Sequence, residues 1–414
     1  MLVEIITIGD ELLIGQVVDT NSAWMSQQLN FAGFKVKQIT SVSDDEQHII
    51  NALDEAAKRA DVILITGGLG PTKDDITKNT LCKYFNTSLV FNEEAFKNLE
   101  QLFKMRGREV TPTNRKQAEV PVNCEVLQNK NGTAPGMWFE HEEKVFVSMP
   151  GVPYEMKSMM SDAVIPRLKG KFETPYIVHK TILTQGVGES FLSDIISDWE
   201  DSLPSHMKLA YLPSAGMVRL RLTAMSADAD LEKQVEEQVK NVLPLIEKYV
   251  YGFDDDTLQS VVAKLLHQKK QTLSLAESCT GGYISHLITS LPGSSAYYKG
   301  SVIAYAYEIK EEFLNVSKFV LETKGAVSEE VVLQMASQVK ANFKTDYAIS
   351  VSGIAGPDGG TPDKPVGTVW IAIATPEKTF AKRFQFGTHR MRNIEVTAYT
   401  ALNMLRKELL ADNI

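Results

Sequence analysis

The chain of 414 residues has few groups for a covalent or metallic framework. Its three cysteines, Cys82, Cys124 and Cys279, show no close pairing. That excludes a disulfide-stapled scaffold and a thiolate metal site, and it fits a reducing compartment, the cytoplasm. The seven histidines are scattered, none at metal-ligand spacing. No apolar run approaches the roughly 18 residues of a membrane span. The first segment, "MLVEIITIGDELLIG", lacks a basic start and carries an acid at position 4, so it reads as a strand and not as a signal peptide. Positive charge is short as well. Lys and Arg total 43 against 52 Asp and Glu, a net charge of -9. This argues against sequence-independent nucleic-acid binding, yet leaves local sites free to hold small anions. No internal repeat or low-complexity tract is evident.

What is present is an ordinary globular composition, 43% hydrophobic and 23% charged, long enough for two or three domains. Over the first 170 residues strands and helices alternate. "LVEIITI" is a strand ended by Gly9, followed by a helix from about Asn21, capped by Thr20 or Asn21 and stopped by Gly33. "FKVKQITSV" and "DVILIT" are further strands, separated by the helical pattern "DDEQHIINALDEAAKRA". Such alternation predicts a parallel sheet with ligands at the carboxyl ends of its strands. Residues 171–252 read as a small α+β module ending in the helix "ADLEKQVEEQVKNVLPLIEKYV". Its loop "TQGVGES" carries Glu189 and no Lys or Arg, and the acidic run "DIISDWED" follows, which disfavours a nucleic-acid clamp. From 253 onward an α/β domain is expected. It comprises the strand "QTLSLAE", a long helix from about 281, the strands "GSVIAYAYE", "DYAISVSG" and "GTVWIAIAT", and a closing helix over 389–410.

Two constellations carry chemistry. In "TGGLGPTKDDIT", Gly67, Gly68 and Gly70 stand between a buried strand and a helix, where glycines let backbone N–H groups approach an anion. Asp74 and Asp75 follow, either as metal ligands bridging to phosphate or as caps of the next helix. In "LAESCTGGYI", Ser278, Cys279 and Thr280 all carry nucleophilic groups on a strand-to-helix turn whose N–H groups suit an oxyanion. A serine there needs a base. Lys310 qualifies only where burial lowers its pKa from about 10.4. Tyr305, five residues earlier on the same predicted strand, can relay a proton or hold the lysine. Strand alternation would put Tyr307 on the same face as Tyr305. Ser352 ends a strand before the long loop "SGIAGPDGGTP". Arg390 and Arg392 start a helix, a misfit with the helix dipole that a bound phosphate would relieve.

The motifs "TIGDELLIGQVVDTN", "TGGLGPTKDDIT", "NRKQAEVP", "NGTAPG" and "MPGVPYEM", in that order, resemble the N-terminal domain of the CinA family, which is similar to the MoaB and MogA fold. "AESCTGG", the Tyr305-to-Lys310 segment, "SGIAGPDGGTP" and "GTVWIA" resemble the family's C-terminal nicotinamide-nucleotide amidase domain. The resemblance implies three domains: a MoaB/MogA-like parallel-sheet domain (1–170), a KH-like α+β spacer or dimerisation module (171–252), and the amidase domain (253–414). It implies deamidation of nicotinamide mononucleotide by Ser278, with Lys310 as base, Tyr305 as helper, and Thr280, Gly281, Ser352, Gly353, Arg390 and Arg392 around the substrate, without a metal. For the N-terminal domain it implies ADP-ribose pyrophosphatase activity supported by a divalent metal and potassium. Asp75 and Asp44 match functional acids of the relatives, with Asp10, Glu11 and Asp74 beside them and Asn114, Arg115 and Lys116 facing the diphosphate. A homodimer is implied, with neither nucleic acid nor membrane as partner. A non-catalytic nucleotide or pterin binder and a competence-related accessory protein are the competing readings. One departure stands out: the family commonly has Asn where this chain has Tyr307.

Overall fold

The computed structural model describes residues 1–228 and 230–411. These fall into two compact units divided after Val178, with the short segment Met225–Leu231 going with the first.

In the first unit the strands are β1 (Leu2–Ile8), β2 (Lys35–Val42), β3 (Val62–Thr66), β4 (Leu89–Phe91), β5 (Glu119–Pro121), β6 (Glu125–Leu127), β7 (Gly136–His141) and β8 (Lys144–Met149). Six of them form one sheet in the order β2-β1-β3-β8-β7-β6, parallel from β2 to β8 and antiparallel beyond. β3 is buried along its whole length, as a central strand covered on both faces must be. Met25, Leu29, Phe34 and Trp138 fill one face, and Ile49, Leu53, Leu81 and Phe139 fill the other. Chain order jumps from β2 across β1 to β3, so the carboxyl ends of β1, β2 and β3 open at a topological switch point. The helix after β1 spans Thr20–Phe31, and its cap is Asp19, which accepts the Ser22 N–H at 2.9 Å, in place of the expected Thr20 or Asn21. A carboxylate one residue earlier offers the stronger acceptor at a helix start.

The second unit begins with the middle module: β9 (Tyr176–Gln185), β10 (Met207–Ser214), β11 (Met217–Ser226) and β12 (Val250–Phe253), in the order β10-β11-β9-β12. Helices Glu189–Asp201 and Leu231–Ile246 accompany it. Ala229, where the second helix is expected to begin, lies outside the described residues, as do residues 412–414 at the chain's end. Leu183 and Tyr251 belong to the same core as Leu273, Ile349 and Leu405, so this module packs into the C-terminal domain.

The remaining strands are β13 (Leu273–Glu277), β14 (Tyr298–Ile303), β15 (Tyr347–Gly353), β16 (Thr368–Ala374) and β17 (Thr379–Gln385), in the order β14-β13-β15-β16-β17. The first three are parallel and the last two antiparallel. β13 is central and wholly buried. Here too the chain leaves β13 for β14 on one side and returns to β15 on the other, which opens a second switch point beyond Glu277. The helix after β13 is shorter than expected, only Tyr283–Thr289, because "LPGSS" stops it. Among the described residues, no helix is long and apolar enough to cross a membrane.

Candidate active site

Ser278 follows the last residue of β13. Its N–H donates to Val351 O at 3.0 Å, which pins the turn to the neighbouring strand. Lys310 sits on the Tyr307–Leu314 helix and is fully buried. Its Nζ donates to Ser278 Oγ at 3.2 Å, to Tyr305 O at 3.3 Å and to Ala304 O. No carboxylate is among these partners. Burial pushes the lysine down to about 8. Ionised ammonium is costly in such surroundings without a counter-charge, so the neutral amine is within reach near neutral pH.

Cys279 is the competing nucleophile, and the structure separates the two. The thiol is buried, and that burial pushes it up to about 12. A thiol held protonated is neither nucleophile nor ligand. Thr280 is also committed, since its Oγ1 donates to Glu277 Oε2 at 2.6 Å. Among the described residues, no acceptor is paired with the backbone N–H of Cys279 or Thr280. These are the groups suited to a developing oxyanion.

Glu277 is the residue that sequence reasoning passed over. It is fully buried at the end of β13 and accepts five hydrogen bonds. Oε2 takes Thr280 Oγ1, Gly282 N at 3.1 Å and Ile284 N at 3.1 Å. Oε1 takes Ser285 N at 2.8 Å and Ser285 Oγ at 2.6 Å. The acid thereby caps the Tyr283–Thr289 helix from inside the core and fixes the turn that carries Ser278. Gly281 at φ +58° and Gly282 at φ +99° give that turn its left-handed backbone. An acid next to a turn in a buried strand was the available signal.

The tyrosines stand differently from the expectation. β14 ends at Ile303 and the helix starts at Tyr307, so strand alternation does not govern them. Tyr305 offers Lys310 its carbonyl and not its hydroxyl. The hydroxyl is exposed and accepts Arg390 Nη2 at 3.0 Å. Tyr307 Oη accepts Ala326 N at 3.2 Å, and Ser352 Oγ donates to Ala326 O at 2.8 Å. The two side chains therefore clamp one residue, Ala326, of the loop before the Glu329–Phe343 helix. A Cβ on Gly353 would lie 2.6 Å from Val369 Cγ2, so that glycine serves close strand packing.

The helix Arg390–Ala411 sends Arg390 and Arg392 apart, as residues two positions apart on a helix must go. Arg390 reaches Tyr305 and, through Nη1, Gly356 O at 2.8 Å. Arg392 lines a separate cleft with middle-module residues. Ser278, Lys310, Tyr305 and Arg390 are thus brought together; Arg392 is not.

In the first unit, the carboxyl ends of β1, β2 and β3 gather Asp10, Asp44 and the Gly67–Gly70 loop. Gly67 has φ +117°, and a Cβ there would fall 2.1 Å from Ile8 O; only glycine fits. Asp10 and Asp44 are tied reciprocally, Asp10 N to Asp44 Oδ2 at 3.1 Å and Asp44 N to Asp10 Oδ1 at 3.3 Å. Burial first, then the charges of Asp10, Glu11 and Asp74, push the Asp44 carboxyl above its ordinary value. Asp75 turns the other way. Its Oδ2 accepts Thr72 N at 2.9 Å and Thr72 Oγ1, and it lines a cleft of about 300 Å³ with Gly68, Gly70 and Lys78. Neither Asp74 nor Asp75 caps the Thr77–Tyr84 helix, which has no side-chain cap. Lys78, unnoticed in the sequence, is held down to about 8 by burial and donates to the carbonyls of Lys116 and Gln117. Of the three expected diphosphate contacts, Lys116 lines the cleft, while Arg115 stacks on Phe91 and Phe96 at 4.4 and 4.6 Å and Asn114 closes a turn with Thr111. Among the described residues, no three His, Cys, Asp or Glu side chains form a metal cage. Two carboxylates such as Asp10 and Asp44 are the number with which a magnesium-type ion is usually held, substrate phosphates and water filling its other positions.

Three domain families match in succession: a probable molybdopterin binding domain over residues 4–170, the damage-inducible protein CinA KH domain over 179–252, and the CinA C-terminal domain over 255–409. A CinA-like protein of Cytophaga hutchinsonii is 52% identical over 407 residues, 98% of this chain and 97% of its own. One of Flavobacterium psychrophilum is 49% identical over 413 residues, 99% of each. Among solved structures, the competence damage-inducible protein A of Klebsiella pneumoniae is 35% identical, covering 37% of this chain and 95% of its own with a TM-score of 0.36.

Proposed function

Because the chain belongs to the CinA family over nearly its whole length, we propose that its C-terminal domain is a serine amidase that deamidates nicotinamide mononucleotide. The observation that carries this reading is the 3.2 Å contact between a buried lysine amine and the hydroxyl of Ser278. Neutral Lys310 takes the Oγ proton as oxygen attacks the carboxamide carbon. The oxyanion forms against the N–H groups of Cys279 and Thr280. Lys310 then returns its proton to the departing nitrogen, releasing ammonia and leaving nicotinate mononucleotide as an ester on Ser278. Water, deprotonated by the same amine, hydrolyses that ester. Arg390, on the side of Tyr305, supplies a cation for the substrate phosphate.

For the N-terminal domain we propose ADP-ribose hydrolysis to AMP and ribose phosphate, the diphosphate resting on the Gly67–Gly70 loop with Lys78 beside it. A divalent metal held by Asp10 and Asp44 would neutralise charge on the diphosphate; potassium is a further proposed requirement. A second reading, binding without turnover, is favoured by Asp75 being held by Thr72. We also take the protein to be a cytoplasmic homodimer, which light scattering would test by mass.

The deciding experiment is a purified-protein assay of ammonia release from nicotinamide mononucleotide and AMP release from ADP-ribose, with and without divalent metal and potassium. Ser278→Ala should lose the first activity by at least about a thousandfold. The same variant should keep the second activity, and Asp75→Ala should show the reverse. Full amidase activity in Ser278→Ala would overturn the assignment. ADP-ribose binding without AMP formation would favour the binding module.

A further inference from the structure

Between the middle module and the C-terminal domain lies a cleft of about 900 Å³, within the range of small-molecule sites. Its walls are the turns after β9 and between β10 and β11, strand β17, and one face of the Arg390–Ala411 helix. Neither Ser278, Lys310 nor Arg390 lines it. We propose that this cleft is a second ligand site that takes a mononucleotide, its phosphate on Lys382, Arg392 and Lys407 and its base against Phe384 and Phe386.

Three independent observations support this. The first is charge. Among the described residues Lys248, Lys382, Arg392 and Lys407 line the cleft and no Asp or Glu does, in a chain with nine more acids than bases. Among the described residues none of the four pairs with a carboxylate. Lys407 is exposed as a residue, but partial desolvation of its amine first, then the charges of Arg406 and Lys382, hold the ammonium below its ordinary value. Arg406 is itself buried and donates to Asn403 Oδ1. Like charges gathered without a counter-ion are costly, and an anion in the cleft relieves that cost.

The second is shape. The Phe384 and Phe386 rings lie nearly parallel, 10° apart with centroids at 5.7 Å, and both line the cleft. Aromatic faces beside cations are how proteins hold a base and its phosphate together. The third is an unmet hydrogen bond. Asn393 lines the cleft and is 1% exposed. Its Nδ2 donates to Ala355 O and Gly387 O, both at 2.9 Å, which fixes the amide orientation. Its Oδ1 is buried with no partner among the described residues. A buried acceptor of this kind calls for an N–H or O–H, which a ribose or an exocyclic amine supplies and a bare phosphate does not. A long polyanion fits poorly, since four cations in one cleft do not make a stripe along a backbone.

Calorimetry on the full chain with AMP, adenosine, inorganic phosphate and a short single-stranded RNA tests this. AMP should bind saturably, with adenosine and phosphate weaker by at least about tenfold. The double variant Lys382→Glu/Lys407→Glu should weaken AMP binding at least about tenfold. Phe384→Leu should weaken AMP and leave phosphate unchanged. The double variant should keep the wild-type circular dichroism and melting curve, since Lys382 and Lys407 are exposed. Ser278→Ala should bind AMP as wild type does. AMP binding that ignores the double charge reversal would place the nucleotide elsewhere and overturn the proposal, as would AMP binding no tighter than phosphate. RNA binding tighter than AMP, with a salt slope steeper than four phosphate contacts allow, would overturn it in favour of a nucleic-acid surface.

Discussion

Replacing Glu277 with Gln removes one oxygen from a carboxylate around which every neighbour is a donor. The amide nitrogen must take one of two places. At the Oε2 position it would face the N–H groups of Gly282 and Ile284, both 3.1 Å away. At the Oε1 position it would face the Ser285 N–H at 2.8 Å, while the Ser285 hydroxyl can turn to accept. The second placement is the cheaper, yet it leaves one buried N–H opposed by another donor, and neutral acceptors replace charged ones for the remaining three bonds. An orphaned buried donor costs about 1–3 kcal/mol and each weakened charge-assisted bond up to about 1, so the domain should lose about 3–5 kcal/mol. Because the same carboxylate fixes the turn bearing Ser278, amidase kcat should also fall, by about a hundredfold for a displacement near 1 Å. Guanidinium unfolding of the full chain, with ammonia release measured in parallel, reads both. Glu277→Gln with an unchanged unfolding midpoint and unchanged kcat would show that the five hydrogen bonds neither hold the turn nor position the nucleophile.

Three further outcomes follow from the same geometry. Amidase kcat/KM should rise about tenfold per pH unit below about 8 and level above it, because the reactive form is the neutral amine of a lysine held down to about 8; a flat profile between about pH 6 and 8 would remove Lys310 as base. Cys279→Ala should keep most of the amidase activity, and in the folded wild type Cys279 should resist alkylation near pH 8, because burial holds the thiol protonated; rapid labelling seen by mass spectrometry would contradict this. Gly67→Ala should cost the first unit about 2–3 kcal/mol, since a side chain is strained at φ +117° and the methyl meets Ile8 O; an unshifted unfolding midpoint would show that the loop relaxes freely.

Much of the fold was legible because apolar runs and glycine breaks are local signals. β1 and β3 are near-continuous apolar segments, and their central places follow from that. Ser278 and the Gly67–Gly70 loop were legible for the same reason, since each lies where a strand breaks into a turn. What escaped depends on distance in space. Glu277 reads as one more acid until the strand is buried and its donors close round it. Lys78 likewise becomes distinctive only when the carbonyls of Lys116 and Gln117 come to it from nearly forty residues away. The tyrosines escape period-two alternation because pairing with β13 ends at Ile303 and the chain leaves the strand before reaching them. Arg390 and Arg392 were separable in principle, because a helix turns two residues by more than half a circle.

The surroundings of the Lys310 amine have a directional consequence. An ammonium has three hydrogens, and Nζ has three acceptors: Ser278 Oγ and the carbonyl oxygens of Ala304 and Tyr305. The carbonyl oxygens can only accept, so they keep two hydrogens whatever the charge. The hydrogen released on neutralisation is therefore the one toward Ser278, and the lone pair left behind points along the path by which the serine proton must travel. The backbone thus selects which proton is lost, and the amine becomes a base already aimed at its partner, with no side-chain rotation between its two charge states.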